Sequence, residues 1–167
     1  MKVAQKEPFE IDSWVVYPSH GVGKLESIES FDIDGQNVDF FAISFPKNKL
    51  TLKIPKQKAL EAGLRNVISK GEMQEALAIL CQKIKKKKQM WSKRAQEYES
   101  KINSGKPFAI AEVIRDLYKV GGDASLSFSE RQIFQVAVDR LARELSIIED
   151  LPEEDAVKKL DLLLQAA

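Results

Sequence analysis

The chain contains one cysteine, Cys81, and one histidine, His20, among its 167 residues. A single thiol excludes an internal disulfide, and this pair of side chains cannot supply the ligands of a structural zinc site. The sequence shows no nucleophile or acid that would form a catalytic triad with His20. Its setting, Pro-Ser-His-Gly, indicates a turn residue. We therefore expect no catalytic site, no metal, no cofactor and no small-molecule substrate.

Long apolar stretches are also missing from the sequence. None approaches the roughly 20 residues that a membrane-spanning helix needs, and the N-terminus lacks the pattern of a signal peptide. Both observations, together with the single cysteine, predict a protein of the reducing cytoplasm that does not bind membranes.

Charge is distributed unevenly, although the net charge is only +1. Residues 83–101 carry eight Lys or Arg and two Glu, a net +6, whereas residues 144–167 carry seven acids and two Lys, a net −5. Dense positive charge favours a polyanionic partner, because lysine and arginine neutralise phosphates whatever the base sequence. The basic segment therefore indicates binding to nucleic acid.

The first part of the chain has the pattern of a small β domain. Short runs rich in β-branched and aromatic residues cover 13–17, 23–30, 38–45 and 50–54, with turn-forming residues between them. Asp34-Gly35 is a strong hairpin signal, because glycine accepts the positive φ that a tight turn demands. Several short strands in so few residues predict a curled sheet of the SH3 or Tudor type over residues 1–68.

The rest of the chain, residues 69–167, has a helical period and predicts an all-helical domain of about five helices. Ser69 and Ser127 each stand three residues before a glutamate, which is the spacing of a capping box. One helix is expected over 91–103, and Gly121-Gly122 is expected to end the next. The fold class is thus α+β. Residues expected on the inward helical faces include Met73, Leu77, Leu80, Cys81, Phe108, Ile110, Val113, Ile114, Leu117, Leu141, Leu145, Leu160 and Leu164.

Trp91 directly follows the most basic part of the sequence. Lys85, Lys86, Lys87 and Lys88 precede it, and Lys93 and Arg94 continue the positive charge beyond it. Cations attract a nucleic acid, and an indole can then stack on a base or wedge between two. Two simpler interpretations stay open: the lysines are a solvated surface, and the tryptophan belongs to the core of its helix.

Four segments, read in order, give the chain a specific resemblance to the CarD/CdnL family of bacterial transcription regulators. They are Trp-Val-Val-Tyr-Pro-Ser-His-Gly-Val-Gly at 14–23, Leu-Thr-Leu-Lys-Ile-Pro at 50–55, Trp-Ser-Lys-Arg at 91–94 and Ala-Glu-Val-Ile-Arg-Asp-Leu-Tyr at 111–118. The resemblance extends from about residue 10 to 150.

The resemblance implies a function in transcription. Family members bind the β subunit of bacterial RNA polymerase through a Tudor-like domain, shared with transcription-repair coupling factors, and promoter DNA through a helical domain. The family tryptophan, which aligns with Trp91, wedges into the minor groove at the upstream edge of the melted promoter and slows closure of the bubble. Lys93, Arg94 and Arg131 fall on positions that are usually basic and face DNA. The protein is expected to act as a monomer.

On the polymerase side, the resemblance points to Phe31, Ile33, Lys53 and Pro55. Other members carry arginine at the positions of Phe31 and Lys53, so we expect the contact here to be weaker or more apolar. Two other functions remain open: an architectural DNA-binding protein that works without polymerase, and a protein-interaction module that does not contact DNA.

Overall fold

The computed structural model describes residues 9–46, 49–83, 90–125 and 127–166, with the backbone alone over 119–125. The chain divides into two compact units, with the boundary between Val67 and Ile68. The first unit holds an antiparallel sheet of five strands, and the second holds helices. The α+β fold class predicted from the sequence is confirmed.

The β unit contains five strands and one short helix. In space the strands follow the order β4-β3-β2-β1-β5, and each neighbouring pair is antiparallel. Their bounds are β1 Trp14–Tyr17, β2 Gly21–Ile33, β3 Gln36–Phe45, β4 Leu50–Pro55 and β5 Arg65–Asn66, with helix α1 at Lys56–Glu61 between the last two.

One face of this sheet forms the core of the β unit. Val15, Leu25, Phe41 and Ile43 are fully buried there. Gly23 lies next to these side chains, and only glycine fits there: a Cβ at this position would come within 2.7 Å of the Ile43 side chain. A larger residue would have to displace closely packed side chains, which is costly in a core of ordinary density.

The β2–β3 hairpin is tighter and longer than the sequence pattern predicted. Asp34 and Gly35 form the two-residue turn with φ of 52° and 79°, and Ile33 pairs with Gln36 on either side of it. Positive φ at both central residues matches the twist of the flanking strands, so pairing continues up to the turn. The predicted boundaries at Ser30 and Val38 were therefore three and two residues short.

The second unit contains five helices among its described residues, as the sequence predicted. The serine at the start of α2 and the one at the start of α5 are both N-caps, and Ser127 forms the complete capping box with Glu130, with bonds of 3.1 and 3.3 Å. The bounds are α2 Lys70–Ile79, α3 Trp91–Asn103, α4 Pro107–Ser125, α5 Phe128–Glu149 and α6 Glu153–Gln165.

A single hydrophobic cluster holds these helices together. Each helix contributes buried side chains, as predicted for most of the inward positions. Leu141 and Leu145 of α5 lie at its centre, 1% and 0% exposed. Further members of the cluster are Met73, Leu77, Leu80, Tyr98, Ile102, Ile110, Val113, Ile114, Leu117, Ala137, Leu160 and Leu164.

Glu144 is a buried carboxylate in the helical unit, with 4% of the residue exposed. Its Oε2 accepts a hydrogen bond of 2.9 Å from the backbone N–H of Ile68, just before α2 begins. The N-terminal amides of a helix have no partner within the helix, and negative charge near them is favourable. Glu144 therefore fastens the start of α2 to α5.

Three details of the predicted helices were wrong. Helix α4 continues through Gly121 and Gly122 to Ser125, because glycine costs a helix only about 1 kcal/mol per residue and α4 packs along α5. Phe108 is 36% exposed; two residues before Ile110, it points about 200° away from the buried stripe. Cys81 is exposed, beyond the last residue of α2.

No helix in the described ranges combines the length and the apolar character that crossing a membrane would require.

Candidate functional site

The four residues predicted to bind polymerase lie together on the sheet face that points away from the β core. In an antiparallel sheet, directly paired residues share a face, and so do residues two apart along a strand. Phe40 pairs with Pro55 on one side and with Glu29 on the other. Phe31 and Ile33 share this face because they follow Glu29 at every second position of β2. Lys53 shares it because it lies two residues before Pro55 on β4. We call this surface the ribbon face; it comprises Glu29, Phe31, Ile33, Val38, Phe40, Lys53 and Pro55.

The ribbon face is apolar and close to electrically neutral. Phe31 and Ile33 are 44% and 46% exposed. The Phe31 ring meets the Phe40 ring edge to face, with 5.4 Å between the centroids. Lys53, the cation of this face, has its Nζ 3.1 Å from Oε2 of Glu29. A partner would therefore meet an aromatic surface whose charge is balanced internally.

The same hairpin has an open edge. Strand β1 pairs only with Gly21 to Lys24, so no described strand covers the outer side of β2 from Ser27 to Ile33. Backbone N–H and C=O groups on such an edge are available to a strand of another protein. The edge and the ribbon face meet at Phe31 and Ile33, which gives one continuous surface for a protein partner.

Trp91 is the first residue of α3, and its side chain is half-buried against the helical core. The residue before it, Met90, is 76% exposed. The indole centroid lies 6.5 Å from that of Tyr98, which is buried. The ring thus leans on the bundle with one part accessible at the end of the helix.

Arg94 secures the Trp91 ring from the next turn of α3. Its guanidinium carbon lies 5.6 Å from the Trp91 ring centroid and 5.7 Å from that of Tyr98. Its Nη2 donates a 3.3 Å hydrogen bond to Tyr98 Oη. Cation–π contact and hydrogen bonding hold the two rings and the arginine as a unit. Arg94 is half-buried and contacts both rings within the protein; its contact with DNA, which the resemblance implies, stays a prediction.

The other predicted cations differ in where they lie. Lys93 and Arg131 are both exposed, on the first turns of α3 and α5. Lys85, Lys86, Lys87 and Lys88 lie outside the described residues.

Helix packing brings Arg131 to the same end of the bundle as Trp91. Arg140 of α5 donates a 3.2 Å hydrogen bond to the carbonyl oxygen of Ile102 in α3, so these two residues mark one level. The end of α3 forms an ion pair with the N-terminal half of α4, and the C-terminal half of α4 stacks on the N-terminal half of α5. The chain therefore reverses direction twice, and α3 and α5 run in the same direction. At 1.5 Å per residue, Trp91 lies about 16 Å and Arg131 about 14 Å from that level, on the same side.

We call this end of the bundle the wedge end; it comprises Met90, Trp91, Lys93, Phe128 and Arg131. Phe128, the first residue of α5, is 75% exposed. Sequence reasoning missed Met90 and Phe128, although each is a large apolar residue at a helix start that lies outside the inward helical stripe. Exposed apolar side chains beside exposed cations are suited to a nucleic acid with accessible bases.

The single histidine and the single cysteine each contact other residues of the protein. His20 lies in the turn between β1 and β2, as predicted, with ring centroids of Tyr17 at 5.5 Å and Phe45 at 5.3 Å. Cys81 Sγ lies 3.7 Å from the carbonyl oxygen of Leu163. Among the residues that the structure describes, no three His, Cys, Asp or Glu side chains are grouped as metal ligands.

Comparison with known proteins matches both units to family models. Residues 9–68 match the CarD-like/TRCF RID domain, and residues 75–161 match the CarD C-terminal domain. A relative from Bacillus subtilis (strain 168), named "Putative transcription factor YdeB", is 27% identical over 146 residues. The aligned region covers 87% of this chain and 95% of the relative.

Proposed function

Since the chain belongs to the CarD family of transcription regulators, we propose that it joins RNA polymerase to promoter DNA and stabilises the open promoter complex. The ribbon face would bind the polymerase β subunit, and the wedge end would bind DNA at the upstream edge of the melted region. The observation that best supports this proposal is the wedge end, where the accessible part of Trp91 and the exposed cations Lys93 and Arg131 lie at one end of the helical unit.

Polymerase binding is supported by the chemistry of the ribbon face. Its exposed Phe31 ring, which packs on the half-buried Phe40, offers the kind of apolar area that dominates the centre of protein interfaces. The open edge of β2 adds backbone groups that can pair with a strand of the partner. The match of residues 9–68 to the RID model agrees with a polymerase partner.

DNA binding is supported by the charge and shape of the wedge end. Lys93 and Arg131 would neutralise phosphates on either side of the indole. Apolar side chains that enter the minor groove act by separating stacked base pairs, which costs a few kcal/mol per step in intact duplex. At a melted fork the bases are already separated, so Trp91 would gain stacking energy without that cost.

The mechanism follows from this difference. A protein shifts an equilibrium only by the difference of its affinities for the two states. If Trp91 contributes about 1.4 kcal/mol more to the open complex than to the closed one, the open-to-closed ratio rises about tenfold. Attachment to polymerase raises the local concentration of the helical unit, so a weak intrinsic affinity for DNA suffices.

The decisive experiment measures the lifetime of open complexes with purified polymerase. Trp91→Ala is expected to remove most of the lifetime increase, about tenfold, while polymerase binding stays unchanged. Trp91→Phe keeps an aromatic ring and should retain part of the effect. Phe108→Ala is a matched control, because Phe108 is an exposed aromatic residue on the first turn of α4, at the far end of the bundle.

Equal lifetimes for the wild type and Trp91→Ala would refute the wedge. The half-buried position of Trp91 favours one alternative, a protein-interaction module in which the indole only packs internally. Quenching of Trp91 fluorescence by forked DNA distinguishes the two, provided that Trp14 is first replaced by Phe. Unchanged emission at saturating DNA would favour the alternative.

A further inference from the structure

A cleft of about 320 Å³ opens on the helical unit between α3 and α5. Its apolar lining comes from Ile102 of α3 and from Ile133 and Val136 of α5. Val136 is 44% exposed, so the apolar surface is accessible from solvent. The volume is at the lower end of the range for small-molecule sites, which suits one flat group rather than an extended ligand.

Polar groups surround this apolar lining. They are Glu99 and Asn103 on α3 and Gln132 and Arg140 on α5. Burial, and secondarily the nearby charge of Arg143, lowers the pKa of the Arg140 guanidinium. An arginine nevertheless remains protonated in proteins, so the cleft holds a cation that is partly removed from water.

This combination is complementary to a nucleobase. A base has two apolar faces and an edge of hydrogen-bond donors and acceptors, and proteins bind unpaired bases between apolar side chains while polar groups read that edge. The Glu99 carboxylate can accept from an exocyclic amino group, and the two amides and the guanidinium can donate to ring nitrogens and carbonyl oxygens.

The cleft continues from the wedge end. Phe128, Gln132, Val136 and Arg140 recur every four residues and so form one stripe along α5, which leads from the wedge end into the cleft. Along the axis of α3, Glu99 lies about 12 Å beyond Trp91, because an α-helix rises 1.5 Å per residue. A single strand covers that distance in a few nucleotides.

We propose that this cleft holds one unpaired base of the melted strand, a few nucleotides from the junction that Trp91 occupies. The inference rests on the proposed function, and it adds a second contact, specific for single-stranded DNA, to the wedge. Such a contact would favour the open complex for the same reason as the wedge does, because the base is accessible only after melting.

The test uses the full chain and a labelled duplex that ends in an unpaired tail. Tail nucleotides are replaced by abasic sites one position at a time, and affinity is measured by fluorescence anisotropy. Loss of a stacked base is expected to weaken binding about tenfold at one tail position and little at the others. Uniform affinity at all tail positions would overturn the proposal.

Variants connect that position to the cleft. Val136→Phe fills the cleft without a change of charge and should abolish the sensitivity to the abasic site, while binding to blunt duplex persists. Leu162→Phe is the matched control, because Leu162 is an exposed apolar residue of α6 that does not line the cleft. Gln132→Ala should weaken binding to the tail. Gln135→Ala should not, because Gln135 lies on the same helix but does not line the cleft.

The outcomes separate this inference from the proposed function. If Trp91→Ala weakens fork binding but Val136→Phe leaves the abasic profile unchanged, the cleft proposal fails and the wedge stands. If Trp91→Ala has no effect on forked DNA, the proposed function itself fails. If Val136→Phe disrupts polymerase binding and leaves tail binding intact, the cleft takes a protein, and our proposal is wrong.

Discussion

The ribbon face and the wedge end present opposite chemistry for two proposed partners. On the ribbon face, Lys53 lies beside Glu29 and the exposed area is aromatic. At the wedge end, Lys93 and Arg131 are exposed cations at the same end of the helical unit as the half-buried Trp91. Binding through the first should depend little on salt, and binding through the second should depend strongly on it, because only the second releases counterions from phosphates.

If both proposed partners bind, this difference in chemistry would keep the two binding events separate. A neutral apolar surface gains little from a polyanion, and a cationic surface is unsuited to an apolar protein groove. Each unit also has its own hydrophobic cluster, and the two clusters have no residue in common. The following predictions test this separation, from the largest expected effect to the smallest.

The largest effect is expected from the core of the helical unit. Leu141→Ala removes a side chain that is 1% exposed and should destabilise that unit by about 2–5 kcal/mol. Denaturant unfolding followed by Trp91 fluorescence in a Trp14→Phe background measures the change. Leu162→Ala, at a position 64% exposed, is the control and should stay within about 0.5 kcal/mol. A comparable loss in both variants would contradict the assignment of the core.

The second effect concerns polymerase binding. Phe31→Ala removes the exposed ring that meets Phe40 and should weaken binding to a β-subunit fragment by about 1–3 kcal/mol. Leu60→Ala is the matched control, because Leu60 is equally exposed, 43% against 44%, but lies on α1. Calorimetric titration gives both affinities, and equal losses would show that the ribbon face is not the interface.

A smaller effect is expected on the salt dependence of DNA binding. Lys93→Gln and Arg131→Gln should each make the plot of log K against log salt concentration less steep, by the amount expected for the loss of about one phosphate contact. Lys158→Gln on α6 removes an exposed cation from the acidic region and should leave the slope unchanged. A slope that responds equally to all three would mean that net charge, and not the wedge end, determines binding.

The smallest effect tests the neutrality of the ribbon face. Glu29→Gln would remove the ion pair with Lys53. Because both side chains are partly exposed, we expect the free energy of unfolding to fall by at most about 1 kcal/mol. Polymerase affinity, measured at two salt concentrations, should then become salt-dependent. Glu26→Gln changes the same charge at the exposed position in the β-bulge and is the control. Salt-independent binding in Glu29→Gln would show that Lys53 does not contact the partner.

Features encoded by neighbouring residues could be predicted from the sequence. The caps at Ser69 and Ser127 and the turn at Asp34-Gly35 depend on residues only a few positions apart, and all three are confirmed. The part of the ribbon face that lies on the β2–β3 hairpin also follows from local information, because strict alternation places side chains on one face once the hairpin register is known. The places of Lys53 and Pro55 depend in addition on the pairing of β4 with β3.

Features that depend on packing between distant segments could not be predicted. The cleft exists only because α3 and α5 lie side by side, and the exposure of Phe128 depends on where the bundle ends. Arg94 is an intermediate case. Its spacing of three residues from Trp91 and four from Tyr98 is that of neighbours on a helix, so the contact could have been anticipated.

The contact of Arg94 with both Trp91 and Tyr98 has a thermodynamic consequence. A free indole loses rotational freedom when a ligand immobilises it, and that entropy loss weakens binding. Here the contacts with Arg94 and Tyr98 already restrict the Trp91 side chain in the folded protein, so little rotational freedom would be lost on the proposed binding of DNA. If Trp91 binds DNA as proposed, part of its affinity would come from this preorganisation, and a substitution that loosens the first two turns of α3 would weaken binding even with the indole intact.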